Sequence, residues 1–221
     1  RGKQPFRAFE ADLCDGRWLW ITETVRLDGW MLLVATDITV LRSSDRDLRQ
    51  QRDRALRAAQ TDELTRISNR AHILMQLGEH LSALRRCGPP CGLVLLDLDH
   101  FKSVNDRYGH GVGDRVLQDF AHTVQGALRR GDGFGRLGGE EFMLLLPGSS
   151  AQAVQAAVER LLSQVGERRP LAEVPDLGYR CSAGMYMLRP HDDERTACAQ
   201  ADRALYAAKA EGRGRAVWAG N

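Results

Sequence analysis

The sequence predicts an α/β domain in which a central β-sheet of mixed direction is flanked by helices. From residue 61 onward, short β-rich segments alternate with longer segments of helical periodicity, which is typical of βαβ units. The pair Gly138-Gly139 adds a hairpin signal, because both positions tolerate positive φ angles, and Phe142 to Leu146 reads as a buried strand leaving that turn. Crossover units and a hairpin in one sheet require both parallel and antiparallel strand pairs.

The N-terminal 40 residues predict a separate β-hairpin. Residues 17–40, RWLWITETVRLDGWMLLVATDITV, contain two β-rich runs joined by Asp28-Gly29, a strong hairpin signal. Alternate apolar residues of the first run share one face: Leu19, Ile21, Val25 and Leu27. Residues 1–40 resemble the C-terminal strands of a PAS sensory domain. The helical half that would complete a ligand pocket is absent, so we expect a remnant without sensing ability.

Residues 41–60, LRSSDRDLRQQRDRALRAAQ, contain no Gly or Pro and predict a linker helix. Leu41, Leu48 and Ala55 are spaced by seven residues, and Leu56 and Ala59 continue the apolar side. A solvated linker helix is the alternative to a dimerising coiled coil. We favour the coiled coil, because a thin apolar stripe on a charged helix has little else to bury against.

The remaining elements follow in order from residue 61. Residues 61–86 predict a capped helix with apolar positions at Ile73, Leu74, Leu77, Leu81 and Leu84. Residues 92–101 predict a strand, and residues 109–130 a loop followed by a helix. After the hairpin we expect a helix near 150–165, a strand at 180–188, a helix at 195–210 and a short strand at 216–218.

Composition limits the possible functions and locations. The 31 cationic and 29 anionic residues are mixed along the chain, and no basic channel with interleaved aromatic residues is visible, so nucleic-acid binding is not expected. Five cysteines without a repeating pattern favour a reducing compartment. No apolar run approaches the length of a membrane helix. Since the sequence lacks an initiator Met, we expect a cytoplasmic fragment of a larger signalling protein, whose upstream part can include a membrane anchor.

Two acidic pairs are candidates for catalysis. Asp97 and Asp99 fall on one strand face at the end of an apolar run; Asp99 fits an N-cap for the next helix, whereas Asp97 does not. Glu140 and Glu141 sit at the hairpin, where a solvated turn competes with metal ligation. If Asp97 and Glu140 meet on adjacent strands, they supply hard oxygen ligands for Mg²⁺.

The strand-to-helix junction after Asp99 predicts a phosphate site beside these carboxylates. The backbone amides of His100 and Phe101 could hold a terminal phosphate, with Lys102 adding a positive charge. The combination indicates nucleoside-triphosphate chemistry. There is no Walker-type loop, so the phosphate grip differs from that of a P-loop.

Four motifs together resemble the GGDEF diguanylate cyclase domain over residues 61 to about 219. They are TDELTRISNR, DLDHFKSVNDRYGHGVGD, GGEEF and ADRALYAAKAEGRGR, in this order and spacing. The resemblance implies a domain spanning residues 61–221, with a fold related to nucleotide cyclases and polymerase palms. It also implies the condensation of two GTP molecules into cyclic di-GMP across a homodimer, with release of pyrophosphate. The alternative is a catalytically silent domain that binds GTP or cyclic di-GMP as a receptor.

The resemblance also implies roles for individual residues. Asp97, Glu140 and the Leu98 carbonyl match the ligands of Mg²⁺ or Mn²⁺, and Glu141 matches a second carboxylate near the metals or the attacking hydroxyl. The residues that match nucleotide contacts are Asn105 and Asp114 for guanine, and Lys209 and Arg213 for phosphates. GGEEF keeps both acids of the motif, with Glu140 one methylene longer than aspartate. His100 stands where an aromatic residue is frequent, and we expect little effect because this position acts through its backbone.

A regulatory site is implied by RRGD, residues 129–132. Arg129 and Asp132 stand in the register of the family's RxxD inhibitory site for cyclic di-GMP, and Arg160 matches a supporting arginine. The alternative is that Arg129 and Arg130 merely end a helix favourably. His110 could act as a catalytic base, but we expect it to pack or form hydrogen bonds within a loop.

Overall fold

The computed structural model describes residues 6–26, 29–42 and 59–220 of the 221-residue chain. The chain divides into two compact units, Arg1–Ala59 and Gln60–Asn221. No helix in the described ranges combines the length and apolarity needed to cross a membrane. All five cysteines are free thiols.

The N-terminal unit is a three-stranded antiparallel sheet in the order β1-β2-β3. Its strands are β1 (Phe6–Asp12), β2 (Trp18–Val25) and β3 (Met31–Asp37). The predicted hairpin is present as β2 and β3, which pair from Leu19↔Asp37 to Val25↔Met31. Strand β1, which no pattern in the sequence predicted, pairs with β2 along its whole length. Leu19 and Ile21 are partly buried, whereas Val25 is exposed, and Leu27 and Asp28 lie outside the described residues.

The predicted linker helix cannot be followed along its length. Residues 39–42 and 59–60 are helical. Residues 43–58, which include Leu48, Ala55 and Leu56 of the predicted seam, lie outside the described residues. The dimerising coiled coil therefore stays a prediction.

The C-terminal unit confirms the predicted α/β fold. Its strands are β4 (Cys91–Leu98), β5 (Gly133–Gly138), β6 (Glu141–Pro147), β7 (Cys181–Met187) and β8 (Ala216–Trp218). Its helices are α1 (Arg70–Arg85), α2 (Phe101–Tyr108), α3 (His110–Ala127), α4 (Ala151–Gly166) and α5 (Glu194–Ala210). The sheet order is β5-β6-β4-β7-β8, with β7 and β8 parallel and the other pairs antiparallel.

The sheet is the middle layer of three. Successive residues of β4 point to opposite faces, so Leu93 and Leu95 enter one hydrophobic cluster while Val94 and Leu96 enter the other. Helices α1 and α5 cover the first face, and α3 and α4 cover the second. All eight residues of β4, the central strand of the sheet, are buried, which fixes the position of Asp97 near the C-terminal end of the strand.

Three local predictions were wrong. The helix predicted from residue 61 begins only at Arg70, where the Asn69 side chain accepts the His72 N–H at 3.0 Å. The loop predicted after residue 108 is reduced to Gly109, with φ 83°, so that His110 is the exposed first residue of α3 rather than a loop residue. Asp99 does not cap α2, because His100 occupies the N-cap position.

Candidate active site

The predicted carboxylates meet where β4 ends beside the β5–β6 hairpin. Asp97 pairs in register with Glu141, and the Leu98 N–H donates to the Glu140 carbonyl oxygen at 3.3 Å. Asp97 is buried, with 6% of its surface exposed, while Glu140 is half-buried in the turn and Glu141 is exposed. The two strands therefore bring together the acidic residues that the sequence separates by more than forty positions.

The tip of the hairpin is fixed in position by Arg136, which forms an ion pair with Asp62 that no sequence motif predicted. Gly138 and Gly139 have φ angles of 150° and 52°, which favour glycine. The Arg136 guanidinium donates to the Gly139 carbonyl at 2.8 and 3.0 Å and to Asp62 at 3.2 Å. Asp62 also accepts from the Thr65 N–H at 2.9 Å. The turn that carries Glu140 is thus fastened to the segment before α1.

The electrostatics of these carboxylates fit a divalent cation. Burial raises the pKa of Asp97, and the Lys209 ammonium, 2.8 Å from its carboxylate, offsets only part of that rise. Burial and the charge of Asp97 likewise raise the pKa of Glu140. A divalent ion would relieve the repulsion between the two groups. No group of three His, Cys, Asp or Glu side chains within the described ranges is arranged to hold a metal, so a Mg²⁺ ion bound by these two carboxylates would need further oxygen ligands from phosphate or water.

The first turn of α2 presents backbone donors next to the carboxylates. His100 adopts a left-handed conformation with φ 58°, and its side chain makes no cap hydrogen bond. Among the residues described, no acceptor lies within hydrogen-bond distance of the Phe101 or Lys102 N–H. Unsatisfied N–H groups at a helix start attract anions, and the exposed Lys102 adds a positive charge. This junction, which we call the phosphate cradle, has the donors expected at the predicted phosphate site, and phosphate binding there stays a prediction.

The residues predicted to read guanine lie on facing helices. Asn105, on α2, points at Gly113 of α3, and Asp114 follows on the same helix with its side chain exposed. A Cβ at position 113 would overlap the Asn105 side-chain oxygen. Gly113, which the sequence suggested only as part of a loop, therefore makes room for Asn105.

The two predicted phosphate cations lie at the end of α5. Lys209 contacts Asp97, and Arg213 sits in the following turn with φ 63°. This turn is anchored by Asp99, which accepts the Ser182 hydroxyl at 2.7 Å and the Gly214 N–H at 2.9 Å. Asp99 thus positions the turn that carries Arg213, a role that appears only once β4, β7 and the turn meet.

The predicted inhibitory residues share a cavity away from the catalytic edge, by which we mean the end of β4 and the β5–β6 turn with the predicted carboxylates. Arg129, Asp132 and Arg160 line a space of about 210 Å³ between α3, α4 and β6. The Arg129 guanidinium bonds to Asp132 at 3.1 Å and to the Ser149 hydroxyl at 2.9 Å. Asp132 in turn accepts the Arg129 N–H at 3.0 Å. Arg129 lies beyond the end of α3, in a turn that it closes with Asp132, and not in the helix's last turn.

Comparisons with known proteins agree with this architecture. Residues 59–215 match the family described as "Diguanylate cyclase, GGDEF domain". Over 168 residues the chain is 38% identical to the diguanylate cyclase DgcP of Pseudomonas aeruginosa; the match covers 76% of this chain and 24% of DgcP. The chain thus spans about a quarter of that relative's length.

Two solved structures share this fold and are also related to the chain in sequence. The coiled coil and GGDEF domain of Caulobacter crescentus DgcB, in complex with c-di-GMP, superpose with a TM-score of 0.77 at 28% identity, covering 82% of this chain and 97% of DgcB's. The diguanylate cyclase SiaD of Pseudomonas aeruginosa, in complex with its activator SiaC, gives a TM-score of 0.71 at 37% identity, covering 81% of this chain and 70% of SiaD's. The chain therefore belongs to the GGDEF family of diguanylate cyclase domains.

Proposed function

We propose that the C-terminal unit is a diguanylate cyclase that condenses two GTP molecules into cyclic di-GMP and releases two pyrophosphates. The observation that carries the proposal is the adjacency of two features: the Asp97 and Glu140 carboxylates, and the unsatisfied N–H groups at the start of α2. A cation site beside an anion site suits a metal-bound triphosphate. Similarity to DgcP, which is described as a diguanylate cyclase, supports this reaction, and similarity to DgcB, which was solved with c-di-GMP, supports its product.

Asp97, Glu140 and the Leu98 carbonyl would hold Mg²⁺ or Mn²⁺. Bound there, the metal would lower the pKa of the attacking hydroxyl and stabilise negative charge on the phosphates. Without it, Lys209 is the cation that balances Asp97. Glu141 is exposed at the same edge, where it can accept a hydrogen bond from the hydroxyl that attacks.

The protein's other residues would hold and orient GTP. The His100 and Phe101 backbone and Lys102 grip the terminal phosphates, and Lys209 and Arg213 contribute further positive charge. Asn105 and Asp114 read the base, because a carboxylate accepts from the guanine N1 and N2 hydrogens and adenine offers no such face.

The reaction requires two domains. Each holds one GTP, so the 3′-hydroxyl of one nucleotide must attack the α-phosphorus of the other, as the bond to pyrophosphate breaks. A two-fold homodimer presents two equivalent half-sites to each other. The chain's own residues therefore position the substrates, and the partner domain supplies the nucleophile.

The proposal is tested by GTP turnover with Mg²⁺, resolving cyclic di-GMP by chromatography. We expect Glu140→Gln to lower turnover at least about 100-fold, or about 2.7 kcal/mol, because it removes a charged metal ligand. Its urea unfolding should match the parent's. Glu79→Gln, at an exposed position of α1, is the matched control and should be unchanged. Normal product formation by Glu140→Gln would refute the assignment, and tight GTP binding without any turnover by the parent would indicate a receptor instead.

We also propose that cyclic di-GMP inhibits the enzyme at the Arg129, Asp132 and Arg160 cavity. The guanidinium group of arginine can donate paired hydrogen bonds to a phosphate or to the edge of guanine, and the Asp132 carboxylate can accept hydrogen bonds from guanine. Cyclic di-GMP that bridges this cavity on two domains would hold their GTP sites apart. Inhibition would then come from immobilised domains and not from a blocked GTP site.

Arg129→Ala should relieve product inhibition without lowering the initial rate. The measurement combines progress curves with added cyclic di-GMP and calorimetric titration of the same nucleotide. Arg130→Ala is the adjacent control and should behave as the parent. If Arg129→Ala binds product as tightly as the parent and slows identically, the arginine only closes its turn with Asp132.

A further inference from the structure

A groove of about 530 Å³ lies on the side of the β4 terminus that faces β7, away from the hairpin. Four arginines from three parts of the chain line it: Arg107 on α2, Arg169 and Arg180 on the segment between α4 and β7, and Arg213 in the turn after α5. Its apolar lining comes from Val104, Tyr108 and Leu177. We call this the arginine groove.

Most of the positive charge of the arginine groove has no ion-pair partner among the residues that the structure describes. Among the described residues, no carboxylate lies within 4.0 Å of the guanidinium of Arg107, Arg169 or Arg180. Arg107 stacks over the Tyr108 ring at 4.9 Å, and Arg169 donates to the Arg168 carbonyl at 2.7 Å. Two carboxylates line the groove. Asp99 already accepts the Ser182 and Gly214 hydrogen bonds, which leaves the exposed Asp176 as the other acid.

The wall that carries Arg169 and Arg180 is held in place before any ligand arrives. Arg168 bonds to Asp119 of α3, and the Tyr179 hydroxyl donates to the same carboxylate at 2.6 Å. Burial raises the pKa of Asp119, but these hydrogen bonds outweigh it and the pKa lies below its ordinary value. A second ion pair joins Glu173 to Arg115. A fixed wall loses little entropy when it binds an anion.

Helix α2 separates the arginine groove from the catalytic edge. Ser103 and Arg107, four residues apart, share the face that lines the groove, whereas Lys102 falls on the opposite face and Asn105 points at Gly113. Asp97, Glu140 and Glu141 do not line the groove. His100 and Arg213 border both sites, so the groove begins where the phosphate cradle ends.

We propose that the arginine groove is a second anion site, which takes the pyrophosphate that the proposed reaction releases. Guanidinium groups bind phosphate oxygens in pairs, and a diphosphate offers enough oxygens to engage arginines from opposite walls at once. Arg213, at the border, can contact the anion in either site. The source of the pyrophosphate rests on the proposed function, but the groove's affinity for it does not.

The test is calorimetric titration of sodium pyrophosphate into the 221-residue chain, without GTP and with a chelator to remove metal. We expect Arg107→Gln and Arg180→Gln each to weaken binding about tenfold, and the double variant more than either. Inorganic phosphate should bind at least about tenfold more weakly than pyrophosphate, because it cannot span the walls. Arg203→Gln, an exposed arginine of α5 outside the groove, is the matched control and should bind as the parent does.

Two outcomes would overturn the groove assignment. One is pyrophosphate binding that is insensitive to Arg107→Gln and Arg180→Gln but lost in Lys102→Ala, since the anion would then sit in the cradle. The other is equal affinity for phosphate and pyrophosphate. The chromatographic assay for cyclic di-GMP tests the cyclase proposal separately. If the chain binds pyrophosphate through the groove arginines but forms no cyclic di-GMP, the anion site is supported and the proposed cyclase function is refuted.

Discussion

At the scale of single residues, the site depends on side chains that have no catalytic chemistry of their own. Asp62 holds Arg136, and Arg136 holds the hairpin carbonyl beside Glu140. Asp99 joins the end of β4 to the turn of Arg213. Such residues set distances between reactive groups, and an error of about 1 Å in those distances can cost two orders of magnitude in rate.

Gly113 gives a test of this positioning. A Cβ at residue 113 would overlap the Asn105 oxygen and come within 3.1 Å of the Phe101 ring, so Gly113→Ala must displace Asn105. We expect a raised KM for GTP with the fold intact, because alanine favours the helix by about 1 kcal/mol over glycine. Steady-state kinetics and thermal unfolding are the measurements.

Gly126→Ala is the control for this substitution, because residue 126 lies on the same helix and a Cβ there meets nothing within 4 Å. It should share the helix stabilisation and leave KM unchanged. Equal KM values for Gly113→Ala and the parent would show that Asn105 does not contact the nucleotide.

At the scale of elements, the sequence predicted strands and helices well where burial is strongest. The limits of α4, β7, α5 and β8 fall within one residue of those predicted, and those of β4 within three, because their apolar periodicity reflects the core directly. The first strand, β1, is almost wholly exposed and carries no such signal. The three glycines at 109, 111 and 113 suggested a loop, yet only Gly109 has a positive φ, and Gly113 is required by its neighbour on α2.

The sequence predicted which residues form the candidate site, but not the hydrogen bonds and ion pairs that hold them in position. The acidic residues and the helix start could be read from motifs, because they are contiguous in sequence. The Asp62–Arg136 pair and the bonds of Asp99 join residues that are distant along the chain, and no local pattern marks them. Asp99 also shows tertiary contacts overriding a local cap signal, since two partners from other elements satisfy its carboxylate.

The close approach of α5 to β7 gives a prediction at this scale. A Cβ on Gly184 would collide with the Ala201 carbonyl oxygen and the Leu205 backbone nitrogen, so Gly184→Ala must push α5 off the sheet. We expect a loss of about 1–3 kcal/mol in the free energy of unfolding. Turnover should also fall, because α5 carries Lys209 to Asp97.

Urea unfolding and GTP turnover check this expectation. Gly166→Ala at the end of α4, where a Cβ meets nothing within 4 Å, should leave both quantities near the parent's. A Gly184→Ala variant as stable as the parent would mean that the helix does not rest on the sheet as closely as described.

At the scale of the whole molecule, the proposed reaction makes activity a property of encounters between chains. In that reaction the catalytic edge of one domain would supply carboxylates, a phosphate cradle and base-reading residues for one GTP, and the nucleophile would have to come with a second GTP on another domain. Whatever governs the pairing of two domains therefore governs the rate. The predicted coiled coil over residues 41–60 would raise the local concentration of one domain near another without adding a contact at the site.

Specific activity should consequently depend on protein concentration. We expect it to fall on dilution through the range in which dimers dissociate, because the productive step becomes bimolecular. Turnover per chain and sedimentation velocity, measured at the same concentrations and at saturating GTP and Mg²⁺, compare activity with the dimer fraction directly. Proportionality between the two supports catalysis across a dimer. A specific activity that stays constant in samples that sediment as monomers would show that one domain completes the reaction alone, and the two-domain mechanism would have to be abandoned.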